Sequence, residues 1–202
     1  MKSNLESAAT GYTANPPVPF DVTISSMIYF DPHIFRFGYG KNLGKFQFLG
    51  SVEYQMWESY ETPIVRVIKN GGTLQGSDNY ERVQPRNILV ERIGLRFEAS
   101  DSLGLNFGFV YRPSIFEQDY SGAGNSLDLA TMILSGGVDY KFNLMNIPVQ
   151  FNLGGQVHML QEEKVAKSTN EEDGTSGLKI GAPGYTAGGT VSVITSGIKV
   201  EF

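Results

Sequence analysis

Apolar and polar residues alternate along most of the chain beyond residue 20, and Gly, Pro, Asn, Asp and Ser separate the alternating stretches. An alternation with a period of two predicts β-strands that have one apolar and one polar face. Seven such strands are predicted, at residues 20–41, 45–58, 87–100, 103–112, 129–143, 147–160 and 185–202. Several are longer than the about 5–6 residues that are usual in soluble sheets. The pattern therefore predicts an all-β fold built from long strands.

The first predicted strand is interrupted by Asp31-Pro32. Because proline cannot donate a hydrogen bond to a neighbouring strand, the interruption indicates a kink, a bulge or a turn. We interpret 20–41 as one kinked strand, which gives seven strands in total. Pairing between 20–30 and 33–41 would instead indicate two strands and a total of eight.

The connections between the predicted strands alternate in length. Short connections lie at 42–44, 101–102 and 144–146, and long ones lie at 59–86, 113–128 and 161–184. Short turns at one end and long loops at the other are typical of outer membrane barrels. The chain is therefore predicted to form an antiparallel up-and-down transmembrane β-barrel, or part of one.

Charged residues recur in the middle of the predicted strands, but on one face only. In the strand at 147–160 the apolar face holds Ile147, Val149, Phe151, Leu153, Val157 and Met159, and the polar face holds Gln150, Asn152, Gln156 and His158. A soluble β-sandwich also alternates, although its strands are usually shorter. A soluble binding module of that kind is kept as an alternative. In the last strand, Val191 and Val193 depart from the alternation.

The composition limits the kinds of binding and catalytic site that the chain is expected to contain. The chain has 202 residues, no cysteine and a formal net charge of −5, without a basic patch. These features give no indication of a nucleic-acid partner or of thiol chemistry. The two histidines, His33 and His158, lack the neighbouring residues typical of a catalytic triad or a metal site. No catalytic residue, metal or cofactor is predicted, and the chain is not expected to be an enzyme.

Two blocks combine glycine, proline and aromatic residues at distinctive spacings. "DPHIFRFGYGKNLGKFQFLGSVEYQMW" holds Pro32, Gly38, Tyr39, Tyr54 and Trp57, and "RIGLRFEASDSLGLNFGFVYRP" holds Gly94, Leu103, Leu105, Gly108, Tyr111 and Pro113. In order and spacing these blocks resemble the FadL-type family of outer membrane transporters for hydrophobic compounds. The hairpin that follows and the closing "GYTAGGTVSVITSGIKVEF" are similar to that family too, so the resemblance spans about residues 20–202.

The resemblance implies a barrel of fourteen strands, plugged by an N-terminal hatch, for passive uptake of long-chain fatty acids or aromatic hydrocarbons. The signal peptide, the hatch and the first half of such a barrel have no counterpart in the chain. Segment 1–19 is then expected to be a surface segment or linker, and 20–202 the C-terminal part of the barrel. The implied partners are outer membrane lipid and lipopolysaccharide, the barrel assembly machinery, hydrophobic small molecules and the missing N-terminal half.

The strand count leads to the same expectation from the residues alone. Complete bacterial barrels have an even number of strands and both termini in the periplasm. If residue 202 lies in the periplasm, seven crossings leave residue 1 at the outer surface. We therefore expect a C-terminal half in the bacterial outer membrane, with a signal peptide upstream. The alternative is a small, self-contained eight-stranded barrel with a structural or adhesion role.

The polar face is the candidate substrate-binding surface, because it would line the lumen of the barrel. Its candidate residues are Trp57, Arg92, Arg96, Ile133, Gln156 and His158. Unpaired charges in a narrow lumen would be costly, so the two arginines are expected to pair with acidic residues across the wall. The acidic residues on the same face are Glu53, Glu98 and Asp139.

The C-terminal residues form a second candidate site. Ile198, Val200 and Phe202 alternate with polar residues up to the final aromatic. They resemble the signal by which the assembly machinery recognises outer membrane barrels, and we expect them to have that role.

Overall fold

Strands make up most of the chain that the structure describes. A computed structural model describes residues 2–12, 19–61, 64–69, 72–73, 84–117, 127–166 and 184–200. The strands are β1 (Lys2–Tyr12), β2 (Pro19–Phe30), β3 (His33–Leu43), β4 (Phe46–Met56), β5 (Ile64–Lys69), β6 (Gly72–Thr73), β7 (Ile88–Glu98), β8 (Leu103–Arg112), β9 (Thr131–Leu144), β10 (Ile147–Ala166) and β11 (Gly184–Val200). Within these residues, no helix is long and apolar enough to cross a membrane.

Seven strands form one antiparallel sheet, in the order β3-β4-β7-β8-β9-β10-β11. We call it the main sheet. Each strand pairs with the next strand of the sheet along the chain, which confirms the predicted up-and-down arrangement. The sheet is open, because β3 and β11 each have a neighbour on one side only. The described residues therefore do not form the closed eight-stranded barrel that was the alternative.

A smaller sheet, in the order β1-β2-β5-β6, contains the first part of the predicted first strand. That strand is divided at Asp31-Pro32: β2 pairs with β1 and β5, whereas β3 pairs with β4. β2 and β3 do not pair with each other. Beyond the break the ladder continues with little change of register, from His33 opposite Met56 to Ser26 opposite Ile64. The break is thus a kink in one long hairpin, at the proline that cannot donate to the ladder.

Three strands were not predicted. β1 lies in the segment expected to be a surface segment or linker, and β5 and β6 lie in the expected loop at 59–86. β1, with the sequence KSNLESAATGY, has no regular apolar alternation, and β5, IVRVIK, is short. Their pairing with β2 therefore has no counterpart in the local pattern. β10 also continues six residues beyond its predicted end, after an irregularity in its ladder with β11 between Leu160 and Glu163.

The turns at the short end are tight. β9 and β10 are joined by Met145 and Asn146, whose φ angles of 51° and 66° lie in the left-handed region. Two such residues are typical of the type I′ turn of a β-hairpin. Gly44, with a φ of 59°, makes the turn between β3 and β4.

The register across the main sheet places most apolar side chains of all seven strands on one side, which we call the apolar face. The expectation that mid-strand charges lie on one face only is wrong at Glu91, which lies on the apolar face opposite Val52 and Tyr111. The apolar members of this face include Phe35, Phe37, Phe48, Val52, Ile93, Leu95, Phe107, Leu134, Val138, Phe151, Leu153, Ile194 and Ile198. Many are widely exposed, including Phe37 at 75% and Ile194 at 82%. The apolar face is therefore a continuous uncovered surface and not half of a packed core.

Candidate functional site

The opposite side of the main sheet, which we call the polar face, carries a buried carboxylate. Glu53, on β4, is only 3% exposed. Its Oε2 accepts hydrogen bonds from Arg36 Nε at 2.7 Å and from Arg92 Nη1 at 3.0 Å, on the two adjacent strands. Two guanidinium groups and one carboxylate form this Glu53 cluster, so it has a net positive charge.

A chain of hydrogen bonds connects the Glu53 cluster to the only tryptophan. Gln55 Nε2 donates to Glu53 Oε1 at 2.6 Å, and Trp57 Nε1 donates to Gln55 Oε1 at 2.8 Å. These residues share one face because they alternate along β4 and its end. The sequence prediction that Trp57 lies on the face of Glu53 and Gln55 agrees with these contacts.

A second charged cluster lies nearer the short turns. Arg96 Nη1, on β7, donates to Asp139, on β9, and Asn106 Nδ2, on the intervening β8, donates to the same carboxylate at 2.7 Å. The Arg96 guanidinium crosses β8 over Gly104, where an added Cβ would lie 2.8 Å from Arg96 Nη2. Both arginines are thus paired with the acidic residues expected from the sequence, Arg96 also lying 3.6 Å from Glu98.

The end of the polar face nearest the long loops is apolar. Ile88, Val90 and Ile115 are buried against one another, and Trp57, Val110 and Phe116 pack around them. Farther across the sheet the same face carries Ile133, Val191 and Val193. Ile133 and Val191 lie in the same row across the sheet as Val110, and Val193 lies one row nearer the short turns. We call these nine residues the apolar patch. It explains the two valines that broke the predicted alternation, since the polar face is polar over only part of its length.

The segment after β8 contributes Ile115 and Phe116 to the apolar patch and covers Ile88 and Val90. Arg112 Nη1 lies 2.9 Å from Asp128 Oδ1 and 3.0 Å from Oδ2, and Asp128 Oδ2 accepts a hydrogen bond from the Ile115 amide at 2.8 Å. The Ile115 carbonyl in turn accepts from the Arg86 amide at 2.7 Å. These bonds hold Ile115 over Ile88 and Val90.

A groove of about 470 Å³ lies between the two charged clusters. Its side chains on the polar face are Leu49, Ser51, Arg92, Val110 and Ser135, and its glycines on that face are Gly38, Gly94 and Gly108. The groove extends from the apolar patch, which shares Val110 with it, to the middle of the sheet. An open, mostly apolar cleft with a few polar groups is the usual form of a small-molecule site.

A larger cavity of about 670 Å³ lies at the short-turn end. Lys141, Gln150 and Lys199 line it from three adjacent strands. Its polar lining contrasts with the groove, so the polar face becomes more hydrophilic from the long loops to the short turns.

All six predicted substrate-binding residues lie on or beside the polar face, but the structure does not bring them to one point. Arg92, Ile133 and His158 lie in one row across the sheet, and His158 Nε2 is 3.2 Å from Gln156 Oε1. Trp57 lies toward the long loops, and Arg96 lies two residues along β7 beyond the groove. Of the predicted assembly signal, Ile198 and Val200 lie on the apolar face opposite Phe151 and Val149, whereas Phe202 is outside the described residues.

Sequence reasoning missed Leu49, Gly94, Val110 and Asp128 as parts of this site. The first three occupy the alternate strand positions that face the polar side, so this alternation could have identified them. Asp128 gave no signal, because its role depends on the fold of a long loop. Among the described residues, no three His, Asp or Glu side chains lie close enough together to hold a metal ion.

No protein-family model matches the chain, and no curated protein matches it. Among solved structures, the fold is similar to the crystal structure of a Pseudomonas aeruginosa FadL homologue, with a TM-score of 0.52 and 13% sequence identity. The alignment covers 93% of this chain and 37% of that chain. The chain therefore has the fold of part of a FadL-type barrel, and spans about a third of the length of the structure that it matches.

Proposed function

We propose that this chain is part of an outer membrane barrel that takes up small hydrophobic compounds by passive diffusion. The apolar patch is the observation that carries the proposal, because it lies on the face that is otherwise polar. A water-filled pore would have no use for exposed valines on that face, where Val191 is 54% and Val193 39% exposed. A hydrophobic solute would gain roughly 25 cal/mol for each Å² of apolar surface that it buries there.

The apolar face supports a location in the membrane. Exposed apolar residues cover all seven strands of the main sheet, far beyond the patches of a few hundred Å² usual on soluble proteins. Aromatic rings lie together on this face near the short turns, with Phe46 and Phe97 stacked at 4.8 Å and Tyr140 and Phe142 at 5.9 Å. Aromatic girdles at the membrane interfaces are a feature of transmembrane barrels.

We further propose a direction of travel along the polar face. The solute would bind the apolar patch at the long-loop end, pass into the groove and leave past Lys141 and Lys199. The surroundings become more polar along this route, so an apolar solute is bound more weakly as it moves. Binding followed by release down a gradient requires no covalent chemistry, and no residue in the proposal acts as a catalyst.

The open edges of the main sheet support a further part of the proposal, that additional strands complete the barrel. An unpaired edge in a membrane would leave backbone donors and acceptors without hydrogen bonds. β1 pairs with the edge of β2 that faces away from β5, and its Lys2 is opposite Phe30, at the end of β2 next to β3. A strand that extended β1 past Lys2 would therefore run beside β3. The remaining half of the barrel is the proposed partner, with outer membrane lipid, lipopolysaccharide and the assembly machinery.

Quenching of Trp57 by a brominated hydrocarbon tests the function. The barrel assembled from this chain and its proposed remaining half would be placed in lipid nanodiscs and titrated with 1-bromododecane, and the same titration of the W57F assembly would be subtracted. We expect quenching of Trp57 by the hydrocarbon, and little by a phospholipid brominated on its acyl chain, which reaches the apolar face only. Equal quenching by the two probes, or none by 1-bromododecane, would contradict uptake along the polar face.

A further inference from the structure

We propose that Gly94 sets the thickness of the solute, so that the groove accepts unbranched chains and flat rings but not bulky hydrocarbons. This inference rests on the proposed uptake of hydrophobic compounds and names the part of the site that selects among them. It concerns the groove between Leu49 and Val110, where Gly94 on β7 supplies backbone in place of a side chain.

The packing of the sheet does not require glycine at position 94. An added Cβ would lie 3.5 Å from Leu49 Cβ, an ordinary van der Waals distance, and the φ angle of Gly94 is outside the left-handed region. At Gly108, by contrast, an added Cβ would lie 2.4 Å from Ser135 Oγ, so the Ser135 hydroxyl would have to rotate away. A glycine inside a strand weakens it, and often marks a place where a ligand or another backbone approaches closely. The nearest side chain to an added Cβ is that of Leu49, at an ordinary contact distance, and the groove at Gly94 is otherwise open, so an approaching ligand accounts for the glycine.

The shape of the groove defines the class of ligand. Leu49 and Val110 supply apolar side chains on the strands either side of β7, and Gly38 and Gly94 leave backbone between and beside them. A chain of CH₂ groups or a planar ring can lie on this floor and touch both side chains. A branched or cage-like hydrocarbon of similar size would be held away from the floor and would lose those contacts.

A matched pair of variants isolates this effect. Gly94→Val adds a side chain to the groove, whereas Gly50→Val adds the same side chain on the neighbouring strand but on the apolar face. An added Cβ at Gly50 meets no atom within 4 Å, and neither glycine has a left-handed φ. Valine is favoured in strands, so both variants are expected to fold, and heat-modifiable migration on a gel checks that they do. Gly94→Ala is a milder second variant.

Occupancy of the groove is measured at Ser135, which lines it. The chain has no cysteine, so S135C introduces a single thiol whose reaction with a methanethiosulfonate reagent can be followed. We expect dodecane to protect this thiol and adamantane, a cage hydrocarbon, not to protect it. Gly94→Val should raise the dodecane concentration needed for protection about tenfold, the scale of one misplaced group in a hydrophobic pocket. Gly50→Val should leave it unchanged.

The outcomes separate this inference from the function on which it rests. Equal protection by dodecane and adamantane, or equal effects of Gly94→Val and Gly50→Val, would overturn the role of Gly94. If Trp57 is quenched by 1-bromododecane while S135C stays unprotected, uptake along the polar face stands and the groove is not its route. If Trp57 is not quenched, the proposed function fails, and protection of S135C would then show a binding groove without uptake past Trp57.

Discussion

Arg92 and Glu53 lie on adjacent strands but are not opposite each other. Ser51 is opposite Arg92 and Val90 is opposite Glu53, and the guanidinium reaches diagonally to place Nη1 3.0 Å from Glu53 Oε2. Arg36, on the strand beyond, donates to the same oxygen. One buried carboxylate thus links side chains of three consecutive strands: it lies opposite Val90 of the apolar patch and binds Arg92, which lines the groove.

Replacing Glu53 by glutamine is expected to destabilise the protein. The change removes the charge that two guanidinium groups share, and should lower the free energy of unfolding by about 1–3 kcal/mol, since hydrogen bonds to charged groups are stronger than those between neutral groups. Urea titration followed by Trp57 fluorescence measures the effect. Glu98→Gln is the control, because Glu98 is exposed and 3.6 Å from Arg96, and exposed pairs contribute little. Equal losses for the two variants would contradict the special role of Glu53.

Gly104→Ala is expected to disrupt the pair of Arg96 and Asp139. The new Cβ would occupy the space that the Arg96 guanidinium crosses, 2.8 Å from Nη2. In a double-mutant cycle with Asp139→Asn, we expect a coupling energy of about 0.5–3 kcal/mol, the range for residues in one network. Gly136→Ala is the matched control, because its Cβ would meet nothing closer than Asn106 O at 4.0 Å. Additive effects of Gly104→Ala and Asp139→Asn would show that Gly104 has no part in the pair.

Met145→Asn is expected to stabilise the protein. Met145 is 90% exposed and has a φ of 51°, a conformation that costs an ordinary side chain about 1–2 kcal/mol and that asparagine tolerates better. A gain of about 0.5–1 kcal/mol should therefore appear in urea titration. Asn146→Met, the reverse exchange at the next turn residue, should have the opposite sign. A loss of stability in Met145→Asn would rule out this turn geometry.

Asp128→Asn is expected to release Ile115 from the apolar patch. The carboxylate accepts from both Arg112 and the Ile115 amide, so its neutralisation weakens two contacts at once. The Ile115 amide should exchange with deuterium at least about tenfold faster, which corresponds to the loss of about 1.4 kcal/mol. Asp101→Asn, at an exposed turn, is the control. Unchanged exchange at Ile115 would show that Asp128 does not hold the segment.

The faces of the main sheet could be predicted from the sequence because side chains alternate with a period of two. That period placed Arg92, Ile133 and His158 on one side before any pairing was known. Val191 and Val193 resisted the same reasoning, since a uniformly polar inner face was assumed. The register places Val191 opposite His158, in the same row as Ile133, and Val193 opposite Gln156.

The groove could not be predicted from the sequence, because it forms where glycines of several strands leave space that side chains would otherwise fill. Gly38, Gly94 and Gly108 come from three strands, and only the register shows that they lie together. The pairing of β1 and β5 with β2 was likewise beyond the sequence, since neither strand has a clear alternation. Local patterns define faces, whereas the contents of a face depend on contacts between distant segments.

The direction of the strands restricts what can close the main sheet. Successive strands alternate in direction, so the two outermost of the seven, β3 and β11, run the same way. Two copies standing side by side in one orientation would therefore meet along parallel seams. Inverting one copy would restore antiparallel seams, but would exchange the long loops and the short turns between the two sides of a membrane. A fully antiparallel wall thus admits this sheet only beside an odd number of further strands, the first and last of which run opposite to β3 and β11. Identical copies inserted in one orientation do not supply such strands.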